Sequence, residues 1–513
     1  MKFFEGIKPD FSAGFSVALV ALPLSIGIAL ASGAPASAGL IAAIIGGIIG
    51  SWMGGSFVTI NGPAAGLIVI VLDAILELGK GDNVQGFKLM LGAAVVAGAL
   101  QIAFGALKFG RKGLAFPASV IHGMMAAIGL IIIAKQMHIL IGHTPVAKNP
   151  VLLYAEVPRA IMNMEINPVI AVIGMISLVF LIVWSRLNNA WSKKVPAPLI
   201  ATILGSILAL GLGVHGKGLL SIPSDFSNWI IFPDFSAMST FAGWKAAITL
   251  ALVASLETVL SAAAVDKMDP QRRESNLDRD LLSKGVCNML SASIGGLPMI
   301  AEIVRSSANI SYGAKTYKAN LIHGVIILAL VLLLPNALSM IPLAALAAIL
   351  LMVGSRLGNP SHFIHAKKIG WDNLVGFAVT LILTLAEDLL VGIIVGALCQ
   401  FVVEMYHGLK LRHLFKPEYK VWTEGLEVVI EVESALAFSN FLTVKDLAAD
   451  FANKGKNVRL ELAHSGYIDP TVMDALDDLK KYFAHRKLTF DVGLSEKHIA
   501  LGAEHNSARK LSA

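Results

Sequence analysis

"SFVTINGPAAGLIVIV", Ser56 to Val71, is the stretch whose reading decides the fold. The β-branched run Val58 to Ile60 ends in Gly62 and Pro63, after which the small residues Ala64, Ala65 and Gly66 lead into an apolar run. The same order returns in "GGLPMIAEIVRSSANI", Gly295 to Ile310, where Leu297 and Pro298 precede Ala301, Glu302 and Arg305. Extended chain at bilayer depth is tolerated only where it is packed in protein or lines a cavity. Two such broken segments in corresponding places mark an inverted repeat with its ligand at the half-helix starts. The pattern puts Pro63 and Pro298 at the first helical position, where a missing N–H costs nothing. It also puts Glu302 about one turn inside its helix, with Arg305 one turn further. Two helix starts meeting near the midplane present unpaired N–H groups and about half a positive charge each. Together they form a small anion site, and Ala64, Ala65, Gly66 and Ala301 leave its backbone open. The competing reading is that Pro and Gly merely kink two core helices.

The rest of the chain agrees with a membrane setting. Of its 513 residues 56% are hydrophobic and 15% charged, with a mean hydropathy of +0.72, values outside the range of soluble domains. Apolar runs long enough to cross a bilayer, roughly 17–25 residues each, continue to about Tyr406. Fourteen spans are expected, the anomalous ones being third in each set of seven. The N-terminal run imitates a secretory signal up to "APASA", Ala34 to Ala38, but Pro23 and Gly27 in its middle suit a broken transport helix better. With the N-terminus placed in the cytoplasm, the loops "KFGRKG", "SRLNNAWSKK", "DKMDPQRRESNLDRD", "YGAKTYK" and "SRLGNPSHFIHAKKIG" are all basic and inside. The positive-inside bias then puts the C-terminus in the cytoplasm as well. The net charge of +6 lies in these short loops, which is topology and gives no ground for a nucleic-acid partner. Cys287 and Cys399 both fall in apolar runs, so neither a disulfide framework nor a metal cluster is expected.

Ionisable groups inside spans are functional candidates by default, because each costs several kcal/mol unless paired or hydrated. Glu257 and Ser261, in "LALVASLETVLSAAAV", are four apart on one helical face and offer oxygens to a Na⁺ or a proton. The structural alternative is an ion pair from Glu257 to Arg305; Glu302 and Arg305 are also spaced to pair with each other. A protonated Glu302 would donate a hydrogen bond to an anion that its charged form repels. His122 reads as a core histidine, Glu387 and Asp388 as groups facing water at a span end, and Gly392 with Gly396 as a close helix contact.

From about Lys416 β and α patterns alternate: "LEVVIEV", "TVKDLAADFANKG", "NVRLELA", "DPTVMDALDDLKKYF" and "LTFDVG". A small α/β domain is expected there, with Asp469 as an N-cap ahead of Pro470. The expected division is a transmembrane domain over 1–412, the α/β domain over 416–500 and a tail over 501–513.

Several stretches together resemble the SulP family of anion transporters, the group related to pendrin and prestin. "ALPLSIGIALASGAP" is similar to the family's first span, "NGPAAGLIVIV" to its third, and "VIHGMMAAIGLIIIAKQMHILIG", with Gln136, to its fifth. The most specific likeness is "ESNLDRDLLSKGVCNMLSASIGGLPMIAEIVRSSANISYGAKT", which resembles the ninth and tenth spans and includes Arg305. The C-terminal part resembles the family's STAS domain. The likeness implies a polytopic α-helical membrane protein with fourteen segments in a 7+7 inverted repeat, divided into core and gate domains. It implies an anion held between the third and tenth helices, and a cation, Na⁺ in some members, at the positions that Glu257 and Ser261 match; the residues expected around the anion in this chain are Ser25, Ala64, Ala65, Gly66, Ala301, Glu302 and Arg305. Three departures stand out: Leu24 follows Pro23 where many members have Gln, Glu302 replaces a small or hydroxyl residue, and Pro470 takes the place of a phosphorylatable serine.

The function expected is secondary active transport of a small inorganic anion, sulfate or bicarbonate leading, by symport with Na⁺ or H⁺ and without an organic cofactor. The protein is expected in the plasma (inner) membrane as a multi-pass homodimer with the lipid bilayer as its surroundings. The rivals are an uncoupled channel or exchanger, a proton-coupled carboxylate transporter of the same fold, and a membrane-anchored sensor acting through the STAS domain. No nucleophile–base constellation points to an enzyme.

Overall fold

The computed structural model describes residues 7–114, 116–147, 149–187, 195–221, 225–425 and 427–512. Lys2 and residues 188–194 of the basic loop expected at 185–194 lie outside them. The chain forms two compact units, Met1–Gly113 with Ile128–Leu357, and Leu114–Ala127 with Gly358–Ala513.

The first unit is helical around one small ribbon. In chain order it contains α1 (Ile7–Ala31), α2 (Ala36–Met53), β1 (Ile60–Gly62), α3 (Ile68–Gly79) and α4 (Asn83–Ala106). The later part of α5 (Ala118–Leu140) follows, then α6 (Pro150–Met162), α7 (Pro168–Arg186) and α8 (Ala197–Gly211). The repeat then begins again with α9 (Phe241–Met268), α10 (Leu277–Ser293), β2 (Ile300–Glu302), α11 (Ile303–Ser311), α12 (Lys318–Leu333) and α13 (Leu343–Leu357). The second unit adds α14 (Pro360–Ile369), α15 (Trp371–Ala386) and α16 (Leu389–Tyr406). Eight of these helices, with Leu343–Ile369 taken as one, are long and apolar enough to cross a membrane, and α8, α12 and α15 are shorter apolar helices. With α3, α10 and α11 they make the fourteen segments, and the third and tenth are the broken ones.

Local chemistry sets several helix starts. Asp82 accepts from Val84 N and Gln85 N at the head of α4, and Asn167 accepts from Val169 N and Ile170 N at the head of α7. Such caps satisfy N–H groups that the helix itself cannot. The expectation of a broken first helix is corrected: α1 runs unbroken through Pro23. Gly27 within it is a packing position, where a Cβ would meet Leu350 at 3.4 Å. Gly392 and Gly396 of α16 lie against Thr380 and Thr384 of α15, the close contact their spacing implies.

β1 and β2 pair antiparallel, Ile60 opposite Glu302, Asn61 opposite Ala301 and Gly62 opposite Ile300. Extended backbone here is satisfied by side chains from other segments. Ile60 N donates to Ser306 Oγ (2.9 Å), Asn61 N to Asn320 Oδ1 (3.2 Å), and Asn309 Nδ2 to Val58 O (2.9 Å). Asn288 does the same on the other side, accepting from Met299 N at 2.6 Å and donating to Met299 O at 3.1 Å and to Gln101 Oε1 at 2.7 Å. Each bond contributes about 0.5–1.5 kcal/mol, and leaving one of these buried groups unpaired costs about 1–3 kcal/mol.

The C-terminal α/β domain has a sheet in the order β3 (Tyr419–Glu424), β4 (Glu427–Val432), β5 (Asn457–Glu461), β7 (Phe490–Gly493). β3 joins antiparallel, and β4, β5 and β7 are parallel. The helices α17 (Phe441–Asn453) and α18 (Pro470–His485) provide the crossovers, and Val428, Ile430, Val444, Leu460, Leu476 and Phe483 belong to one core. Asp469 caps α18 as expected, accepting from Thr471 N and Val472 N. Within the stretch expected as a tail, residues 501–512 join the domain instead: β9 (Arg509–Leu511) pairs with both β6 (Tyr467–Ile468) and β8 (His498–Ala500).

Candidate anion and cation site

The two half-helix starts are built differently from what the prolines suggested. Pro63 is not the first helical residue: the chain stays extended through Ala64 (φ −114°, ψ 146°), makes a 3-10 turn at Ala65–Leu67 and becomes α-helical at Ile68. Pro298 likewise precedes β2, and α11 starts at Ile303. The prolines therefore end the incoming chain, and the helix starts lie later because ribbon pairing keeps Ile60–Gly62 and Ile300–Glu302 extended. A second consequence is that Glu302 does not stand one turn inside its helix. It is the N-cap, and its Oε2 accepts from Arg305 N at 2.7 Å.

The two starts are unequal. Ala64 has no side chain able to cap, and no side-chain bond closes the start of the third segment. Alanine is among the poorest N-cap residues, so this helix start leaves its N–H groups to water or a ligand. The start of α11 is covered by its own carboxylate.

Glu257 approaches the uncapped start directly. A methyl group at Gly66 would overlap its carboxylate, so glycine is what lets α9 and the third segment meet there. Ser261, one turn along α9, is buried. Thr258 beside Glu257 is fully buried, and its Oγ1 has no hydrogen-bond partner.

Arg305 is 0% exposed. Its Nη2 donates to Pro63 O at 3.3 Å, and its Nη1 lies where a Cβ on Gly62 would stand 2.5 Å away. The guanidinium thus reaches from α11 to the end of β1, while Nε and Nη1 have no hydrogen-bond partner among the described residues. Neither of the ion pairs weighed as alternatives is formed among the described residues; Arg305 is joined to Glu302 through its backbone N–H. Glu257 and Glu302 stand within electrostatic reach of each other. Ala301 is buried in β2, opposite Asn61. Ser25 in α1 is 0% exposed with an unpartnered Oγ, and no hydrogen bond ties it to either start.

Sequence reasoning missed three contributors. His323 of α12 is 0% exposed and within electrostatic reach of Arg305. Asn320, one turn before it, holds Asn61 N. The pair "NLIH" was the signal, two polar residues three apart in an otherwise apolar run. Thr258 gave no signal beyond its place next to Glu257. Of the weaker candidates, His122 stacks on His362 with ring centroids 6.0 Å apart, Gln136 is buried, Glu387 is exposed, and Asp388 caps α16.

Chemically, the site holds two carboxylates, one unsatisfied guanidinium and one open helix start. The guanidinium and N–H groups suit an oxyanion, and the carboxylates suit a proton or hard cation.

Known proteins share this fold. The family model for the sulfate permease family matches residues 7–382. The chain is 29% identical over 406 residues to the putative sulfate transporter YvdB of Bacillus subtilis, covering 78% of this chain and 73% of that protein. It is 25% identical over 399 residues to the bicarbonate transporter BicA of Picosynechococcus, covering 77% and 69%. The solved transmembrane domain of a cyanobacterium bicarbonate transporter BicA superposes with a TM-score of 0.67 at 25% identity, covering 76% of this chain and 98% of that one. SLC26A9, at 16% identity, shares the fold with a TM-score of 0.69 over 95% of this chain and 84% of its own. The match of the family model across residues 7–382 makes this chain a member of the sulfate permease family.

Proposed function

We propose that the protein is a secondary active transporter of a small inorganic anion, sulfate or bicarbonate, coupled to Na⁺ or H⁺ through Glu257 with Ser261. The observation that carries this reading is the placement of the Glu257 carboxylate on Gly66, at the uncapped start of the third segment. An anion at that start adds negative charge beside Glu257, which favours a cation there, and the cation in turn favours the anion. The coupling is reciprocal by linkage. The anion lies between the starts near Ala64, Ala65, Gly66 and Ala301, with Arg305 as its fixed cation. The basic loops support an inner-membrane protein with both termini in the cytoplasm, and we expect a homodimer.

Uptake of labelled sulfate and bicarbonate into proteoliposomes, with and without inward Na⁺ or H⁺ gradients, tests the proposal. Accumulation above the external concentration, driven by one cation gradient, is the expected result. Purely downhill movement would favour the uncoupled channel or exchanger.

A further inference from the structure

The asymmetry of the two helix starts has a consequence for which anion is carried. At α11 the position an oxyanion would take is held by the chain's own oxyanion, the Glu302 carboxylate bonded to Arg305 N at 2.7 Å. Within the same first turn of α11, the buried Arg305 guanidinium has Nε and Nη1 unpartnered among the described residues, between α11 and the Gly62–Pro63 corner. A carboxylate therefore covers the helix start while the strongest donor beside it remains unsatisfied.

Resting on the anion-site reading above, we propose that Glu302 determines specificity: its carboxylate competes with the substrate for the start of α11, so that a singly charged oxyanion is favoured over a doubly charged one. The charge count gives the reason. The Glu302 carboxylate sets a negative charge beside Arg305 and Glu257, and a dianion brings one negative charge more against it than a monoanion does. Displacement of Glu302 from Arg305 N lifts both the repulsion and the occupancy of the N–H group. The titratable groups facing Glu302 are Glu257 from α9 and Arg305 from its own helix, with His323 of α12 beside Arg305. β1, paired with β2, brings Ile60, Asn61 and Gly62, none of them titratable.

The test uses a residue that caps as well as glutamate but carries no charge. In the full-length protein, Glu302→Ser keeps a capping oxygen, and Glu302→Asp keeps both cap and charge. Half-saturating concentrations for sulfate and for hydrogencarbonate are measured at about pH 7.5 for wild type and both variants. The Ser variant is expected to shift preference toward sulfate by roughly tenfold or more, the scale of a charge at a helix start, while the Asp variant keeps the wild-type preference. Where the Ser variant does not fold, Glu302→Thr supplies the same capping oxygen. An unchanged sulfate-to-hydrogencarbonate ratio in the folded Ser or Thr variant overturns the proposal and leaves Glu302 a cap alone. Failure of wild type and variants alike to bind either anion overturns the anion-site reading itself, and this proposal with it.

Discussion

Gly66 tolerates nothing larger, because its missing Cβ is what gives the Glu257 carboxylate room. Gly66→Ala should therefore displace either the carboxylate or the helix start. We expect cation-stimulated uptake to drop at least about tenfold, an energy of ~1.4 kcal/mol, with expression and melting temperature close to wild type; normal uptake would remove Glu257 from the site. Arg305→Lys should weaken the anion by a similar factor, since an ammonium replaces a planar fork that reaches Pro63 O and still presents free donors. Anion affinity at fixed cation concentration measures it, and wild-type affinity would show that charge alone suffices. Much at this scale was legible: charged residues in apolar runs are few, so Glu257 and Arg305 identify themselves. The role of Glu302 was not. Reading Pro298 as the helix start put Glu302 inside the helix, and only the pairing of β2 with β1 moves that start to Ile303.

The extended elements depend on partners far away in the chain. Ile60 N and Ser306 Oγ are 246 positions apart, and Asn61 N and Asn320 Oδ1 are 259 apart. "TINGP" signals an extended break by its own composition, but no local pattern names the side chains that satisfy it, which is why Asn288, Ser306 and Asn320 went unread. Asn288→Ala leaves Met299 N, Met299 O and Gln101 Oε1 without their partner. We expect a loss of about 1–3 kcal/mol in stability, read as a lower melting temperature in detergent, with uptake reduced through a loosened β2; a melting temperature equal to wild type would show that water replaces the amide. The Pro23 expectation failed for the converse reason. Proline removes one helical hydrogen bond, yet α1 continues through Pro23, whose surroundings are buried, a tertiary effect that sequence cannot report.

The fold of the whole molecule was legible because hydropathy, the paired breaks and the change of pattern near Lys416 act over long stretches. The role of the last residues was not, since β9 is three residues long and finds β6 and β8 only once the domain has folded. In that domain, burial holds the Asp469 carboxyl above its usual range, against the hydrogen bonds it receives from Thr471 and Val472. A carboxyl raised on folding contributes stability that is full below the unfolded value of about 3.9 and is lost as pH rises through the folded value. Asp469→Asn keeps the cap and removes that loss. The variant should melt about 2–4 °C above wild type at neutral pH, with the gap closing toward acid, and a gap of opposite slope in thermal unfolding would contradict it. The central claim concerns the molecule as a coupled device in which Glu257 ties a cation to the anion. Its most direct test is anion affinity of the purified protein measured against Na⁺ concentration and pH, for wild type and Glu257→Gln. The account predicts that affinity rises with Na⁺ or with acid in wild type, and that Glu257→Gln binds the anion with the cation response to Na⁺ or acid through this site abolished. An identical response in the two proteins would contradict it.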